Sequence, residues 1–196
     1  MLANGGCRLS LRSAGDFLFH GHKLFVGRYN VDMDDEQDLL AYHEAGHAFT
    51  AVWLGGVVRY VSIAPERHDG PRREGEAQIA WRRSRMTPQD FCHKQVLVAL
   101  GGPAAEMIYR GEPLHPGYVA EWAGDWRDAW SLAKELFPAE PKRLAFLEEA
   151  ARQLYRSLRN DDHWQAIATI ADHLLAHEIL EAEELQDVLS PWLRKT

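Results

Sequence analysis

Residues 41–50 read A-Y-H-E-A-G-H-A-F-T, and His43, Glu44 and His47 within them have types and spacing that could do chemistry. On an α-helix, residues four apart lie about 40° apart around the axis and one turn along it. His43 and His47 then point the same way, and two imidazoles so placed can hold one zinc ion at about 2.0–2.1 Å. Glu44 falls on the flank of that face, within reach of a water on the metal without being a ligand. The competing reading is two ordinary histidines on an amphipathic helix. Ala45 and Gly46 favour the metal, because such small residues let another element approach the helix closely.

A catalytic zinc takes three protein ligands and leaves a further position to water. The sequence does not continue as H-E-x-x-H-x-x-G-x-x-H, since Trp53 and Leu54 occupy that region. Cys92 could serve only if "DFCHKQ" were not helical. Two carboxylates are better placed, Glu106 in "GGPAAEMIYRG" and Asp125 in "WAGDWRDAW", and spacing alone does not separate them.

The elements that must position these groups follow from periodicity. Leu39, Leu40, His43, His47, Ala51 and Leu54 recur at helical spacing behind a run of N-terminal aspartates, and Gly55 stops the helix. "VVRYVSIAP" and "EAQIAW" change to strand character, with a Gly- and Arg-rich hairpin loop between them. "TPQDFCHKQVLVALGGPAAEMIYRG" opens with Thr87 as N-cap, Pro88 at the first helical position and Asp90 three after the cap. This long apolar helix is interrupted at Gly101-Gly102-Pro103 and ends at Gly111. A loop leads to a helix bearing Trp126, Trp130 and Ala133. Three helical segments follow: "KRLAFLEEAARQLYRSL", "DHWQAIATIADHLLAH" and "EAEELQDVLSPWLRK". Residues 1–33 lack periodicity and read as a loosely organised lead, with one short strand at "KLFVG" and an "HGH" that reads as loop. The expected fold is mainly α with a small β-sheet (α+β), its functional domain spanning residues 34–194.

Composition bounds the function. The 196 residues are 46% hydrophobic and 26% charged, an ordinary globular balance sufficient for one sizeable core. A net charge of −7 disfavours nucleic acid and anionic lipid as general partners. Arg67, Arg72, Arg73, Arg82, Arg83 and Arg85 crowd one stretch, read as a solvated hairpin. There is no phosphate-binding loop, no secretory signal and no apolar run long enough to span a membrane. Two cysteines, Cys7 and Cys92, point to a reducing, cytoplasmic setting rather than a disulfide framework. The Trp122, Trp126, Trp130 stripe reads as packing, and His173 and His177 as helix-face histidines.

In combination these residues resemble the peptidase domain of the FtsH-type, AAA-linked zinc proteases. Tyr42-His43-Glu44-Ala45-Gly46-His47 matches that family's Y-H-E-A-G-H, "YVSIAP" its strand ending in proline, and "GGPAAE" its G-G-R-x-A-E. "GDWRDAWSLA" is similar to its N-D-L-x-x-A-T-x-x-A, with Ala129 and Ala133 at the matching intervals after Asp125; Asp128 does not fit them. The likeness covers roughly residues 36–190. It implies a zincin-like HExxH helix with a C-terminal helical bundle, zinc bound by His43, His47 and Asp125, and Glu44 as general base. Glu106 is then a carboxylate supporting the ligands, with third ligand as its alternative role. Departures are Pro103 in place of the family's arginine, and "EWAG" in place of its T-G-A. No ATPase domain or transmembrane helix accompanies the resemblance. The expectation is a zinc metalloendopeptidase acting on unfolded proteins or peptides, as such or with a separate ATPase; a non-catalytic adaptor is the alternative. Family analogy leaves room for a homo-oligomeric ring. A peptide substrate would add as a strand to the edge of "VVRYVSI", and Tyr42 and His68 are candidates for stabilising the oxyanion.

Overall fold

A computed structural model describes residues 33–64, 75–82, 84, 86–113 and 115–193. The lead at 1–32, with "KLFVG", "HGH" and Cys7, lies outside the described residues, as do the hairpin loop 65–74 and His68. The chain runs α1 (Met33–Trp53), β1 (Val57–Ser62), β2 (Glu76–Ala80), α2 (Pro88–Ala99), α3 (Gly101–Arg110), α4 (Ala123–Ala133), α5 (Glu140–Leu158), α6 (Asp161–His177), β3 (Ile179–Glu181) and α7 (Ala182–Leu193). Two short 3-10 turns, Pro116–Tyr118 and Ala120–Trp122, lead into α4. The fold is therefore mainly helical with one small antiparallel sheet, as the periodicity indicates.

α1 is the central helix. Its face of Ala41, Ala45, Ala48 and Ala51 is fully buried, and short side chains bring the neighbouring helices close. The tightest approach is at Gly46, where a Cβ would lie 2.4 Å from the Gly101 carbonyl oxygen and 2.6 Å from the Ala105 Cβ. Only glycine lets the backbones of α1 and α3 meet there. On another side of α1, α5, α6 and α7 build a larger core of Leu147, Leu158, Ile167, Ile170, Leu174, Leu185 and Leu189, all buried. Each such side chain contributes about 1.5–3 kcal/mol relative to leaving it exposed.

Element boundaries follow local chemistry. Thr87 and Asp90 exchange the two hydrogen bonds of a capping box at the start of α2, with Pro88 in the first turn. The long helix is interrupted as expected, but one residue earlier: α2 ends at Ala99 and α3 begins at Gly101, so Gly101-Gly102-Pro103 form the first turn of α3. α3 ends on Gly111 in the left-handed region at φ 71°, where glycine pays no Cβ penalty. α6 ends the same way on Glu178 at φ 63°, which a glutamate does not favour. Arg143, though buried, has its charge solvated by the carbonyls of Phe137 at 3.0 Å and Pro138 at 2.7 Å, and stacks over Trp130. It thereby fixes the turn from α4 to α5.

The sheet order is β2-β1-β3, all antiparallel. β3 adds a strand that the periodicity does not indicate: its three residues lie at the junction between two segments that read as helices. It also corrects the expected docking edge. Tyr60–Ser62 of β1 pair with β3 while the other side of β1 pairs with β2, so β1 is the middle strand and β2 is an edge. The tryptophan stripe packs as expected: Trp122 is fully buried, and Trp126 and Trp130 lie against the core.

Candidate metal centre

Two elements, α1 and α4, bring three side chains together. His43 and His47 project one turn apart, and Asp125 reaches them from the first turn of α4. The two Nε2 atoms stand 3.1 Å apart. Asp125 Oδ2 lies 3.1 Å from Nε2 of His43, and Oδ1 lies 3.4 Å from Nε2 of His47. One ligating atom from each residue falls within 4.8 Å of the others, and this is the grouping of that kind found among the described residues. His47 and Asp125 are buried, and His43 is nearly so.

The outer nitrogens decide the proton positions. His47 Nδ1 lies 2.7 Å from the Val98 carbonyl oxygen, which can only accept, and 3.3 Å from the Gly102 amide nitrogen; the shorter carbonyl contact places the proton on Nδ1. His43 Nδ1 lies 3.1 Å from Glu106 Oε2 and donates to that carboxylate. Both Nε2 atoms are then lone-pair donors facing each other and a carboxylate. Such a set repels itself unless a cation or proton sits among it, and two nitrogens of a tetrahedral zinc site stand roughly 3.3 Å apart at ordinary bond lengths. The donor set of two imidazoles and one carboxylate suits zinc.

A second observation bears on the fit. Gly102, at the start of α3, sits where a Cβ would come within 2.3 Å of His47 Nε2 and 2.7 Å of His43 Nε2. The absent side chain leaves the ligating face clear.

Charge states agree with this picture. Burial alone would lower the pKa of His43, but the adjacent Asp125 reverses that and holds it well above its ordinary value. Burial raises Asp125, and the two imidazoles overcome this and hold it far below the usual carboxylate range. Both shifts reflect the attraction between the Asp125 carboxylate and the imidazoles facing it.

Glu44 lies beside the cluster, almost fully buried, with Oε2 lacking a hydrogen-bond partner among the described residues. Burial pushes its pKa upward, partly offset by His47 and His43. Gly75, just ahead of β2, packs on this carboxylate: a Cβ there would lie 2.3 Å from Oε1. The lead into the edge strand thus passes directly over Glu44.

The two candidate third ligands occupy different places. Asp125 is on the Nε2 side with the converging atoms, whereas Glu106 is behind His43, on its Nδ1. Besides His43, Glu106 accepts from Trp122 Nε1 at 2.5 Å and from Arg110 Nε and Nη2 at 2.9 and 2.5 Å. Asp128 is half-buried one turn beyond Asp125, which raises its pKa after burial has done so. Cys92 is on α2 and outside the cluster. Tyr42 is stacked between Tyr109 at 4.2 Å and Trp164 at 5.3 Å, packed into the α1–α3–α6 contact rather than over the metal ligands. His173 and His177 lie with ring centroids 6.0 Å apart on α6, without a third ligand among the described residues.

Sequence reasoning missed Trp122, Arg110, Gly75 and Gly102. Arg110 was findable, since it stands four residues after Glu106 on one helix. The others depend on contacts between distant segments.

No family model matches the chain. Among curated proteins it is similar to the ATP-dependent zinc metalloprotease FtsH of Neorickettsia risticii, 26% identical over 221 aligned positions that cover 92% of this chain and 33% of the relative. It is also similar to the ATP-dependent zinc metalloprotease FtsH 1 of Rhodopirellula baltica, 37% identical over 193 positions, covering 89% of this chain and 26% of the relative. The chain thus spans about a third of one relative and a quarter of the other. The similarity is to one part of each of two proteins named as FtsH zinc metalloproteases, at low identity.

Proposed function

We propose that this chain is a zinc metalloendopeptidase that hydrolyses peptide bonds in unfolded proteins or peptides. The observation that carries the reading is the convergence of His43, His47 and Asp125 beside buried Glu44, whose Oε2 has no partner among the described residues. His43, His47 and Asp125 would hold zinc, with Glu106 supporting His43 from behind. Zinc bound there supplies an acidified water and a positive charge for the scissile carbonyl.

The chain's own residues do the rest. Glu44 takes the proton of the attacking water and returns it to the departing amine. Burial raises its pKa, which makes it the stronger base for taking that proton. Asp125 offsets part of the cation's charge. Among the described residues the outer edge of β2 pairs with no strand, and it runs from a point directly over Glu44, so an extended peptide paired to that edge has its backbone beside the base. Backbone pairing is tolerant of sequence, which suits unfolded chains.

Both curated relatives are named ATP-dependent. This favours a second reading in which an ATPase presents the substrate to the same site.

The test is cleavage of an unfolded protein such as casein by the zinc-loaded chain without ATP, beside Glu44→Gln. Cleavage by the parent and a loss of at least a hundredfold in the variant, with zinc retained, is the expected result. Zinc bound but no cleavage by either protein would sink the stand-alone peptidase. Activity restored by an added ATPase and ATP would establish the second reading.

A further inference from the structure

The two histidines are oriented by different means. His47 donates to a backbone carbonyl, which the end of α2 holds in place. His43 donates to Glu106, a flexible side chain that would orient nothing unless it were itself fixed. It is fixed at both oxygens, Oε1 by the guanidinium of Arg110 and Oε2 by the indole of Trp122. Oε2 is the same oxygen that accepts from His43. Trp122 is fully buried, so its N–H direction is set by packing. It also lies three residues ahead of Asp125, in the 3-10 turn that runs directly into α4.

We propose that Trp122 and Arg110 are positioning residues of the metal centre. Acting through Glu106, they hold His43 so that its Nε2 faces Asp125. The Trp122 bond ties the segment that carries Asp125 to α3 and, through Glu106, to α1. One hydrogen bond thus sets two of the three ligands relative to each other. The inference rests on the zinc reading above.

The experiment measures zinc affinity by competition with a chromophoric chelator, and the visible absorption of the cobalt-substituted protein. Both are taken for the parent, Trp122→Phe, Arg110→Met, Glu106→Gln and the double variant Trp122→Phe/Glu106→Gln, with circular dichroism checking that each folds. Phenylalanine keeps most of the buried ring and removes the donor. Trp122→Phe should weaken zinc binding roughly tenfold and alter the cobalt spectrum, as loss of an outer hydrogen-bond partner does. Arg110→Met should act in the same direction by a smaller factor. In the Glu106→Gln background, Trp122→Phe should cost much less than it does alone. Unchanged affinity and spectrum in Trp122→Phe would overturn the proposal while leaving the metal centre intact. An equal cost with and without Glu106 would also overturn it, since the tryptophan would then act by packing. Should Trp122→Phe fail to fold, unchanged affinity in Arg110→Met, whose side chain is about one-third exposed, overturns the clamp. A parent that binds no zinc refutes the metal reading and the inference with it.

Discussion

Asp125 and Glu106 show what a carboxylate's position decides. Both are buried, both touch His43, and both have pKa values held down after burial has acted against them. They differ in which nitrogen they meet. Asp125 faces Nε2, and Asp125→Asn should weaken zinc binding by more than a hundredfold, because a ligand is lost. Glu106→Gln, behind Nδ1, should weaken it by about 10–100-fold. Equilibrium dialysis of the two variants decides the order, and the reverse order would make Glu106 the ligand. The pair also marks how much of the site was legible. His43, Glu44 and His47 are readable because one helix fixes their mutual geometry in five consecutive positions. Asp125 is not fixed in that way: its side depends on how α4 crosses α1, which no local pattern encodes. Only the resemblance singled it out. Trp122 was read as packing, which it is, and its indole N–H was invisible to a pattern of apolar spacing.

At the scale of elements, the site depends on how closely α3 lies on α1. Gly46→Ala would place a methyl against the Gly101 carbonyl and Ala105. Overpacking of this kind costs about 1–3 kcal/mol, and it should also separate Gly102 from the histidines. Chemical denaturation should show the stability loss, and zinc affinity should fall with it; wild-type values for both would contradict the close approach. The end of α6 permits the opposite change. Glu178 holds a left-handed conformation that favours glycine, so Glu178→Gly should stabilise the chain by up to about 1 kcal/mol. A lower denaturation midpoint in that variant would show that its side chain contributes more than its backbone strain costs. Helices and their breaks were legible here because periodicity, the Thr87 capping box and the Gly-Gly-Pro interruption are local signals. β3 was not, since three residues between two helices carry no period of their own. Missing β3 is also what made β1 look like an edge.

For the molecule as a whole, the proposed metal joins α1 to α4, elements otherwise linked through α2 and α3. A ligand bound only by the folded state stabilises it by about 2.7 kcal/mol at a hundredfold excess over its Kd. In a chain of this size that raises the melting temperature by roughly 5–10 °C. Calorimetry with zinc and then with excess chelator should show the rise and its reversal, and Asp125→Asn should show neither. A melting point indifferent to zinc in the parent would remove the metal from the account. No helix among the described residues is long and apolar enough to cross a membrane.

The pairing of Ser62 with Ile179 has a consequence for biosynthesis. On the ribosome, α1, β1, β2 and all three candidate ligands emerge well before β3 is made. Until then one side of β1 presents unpaired backbone groups, a template for another chain. A molecule released early, or cut in the α6–α7 region, could assemble its histidines and aspartate and still be prone to aggregate through that open side. β3 acts as a seal on that side of β1, set in place only after α2 to α6 have been made.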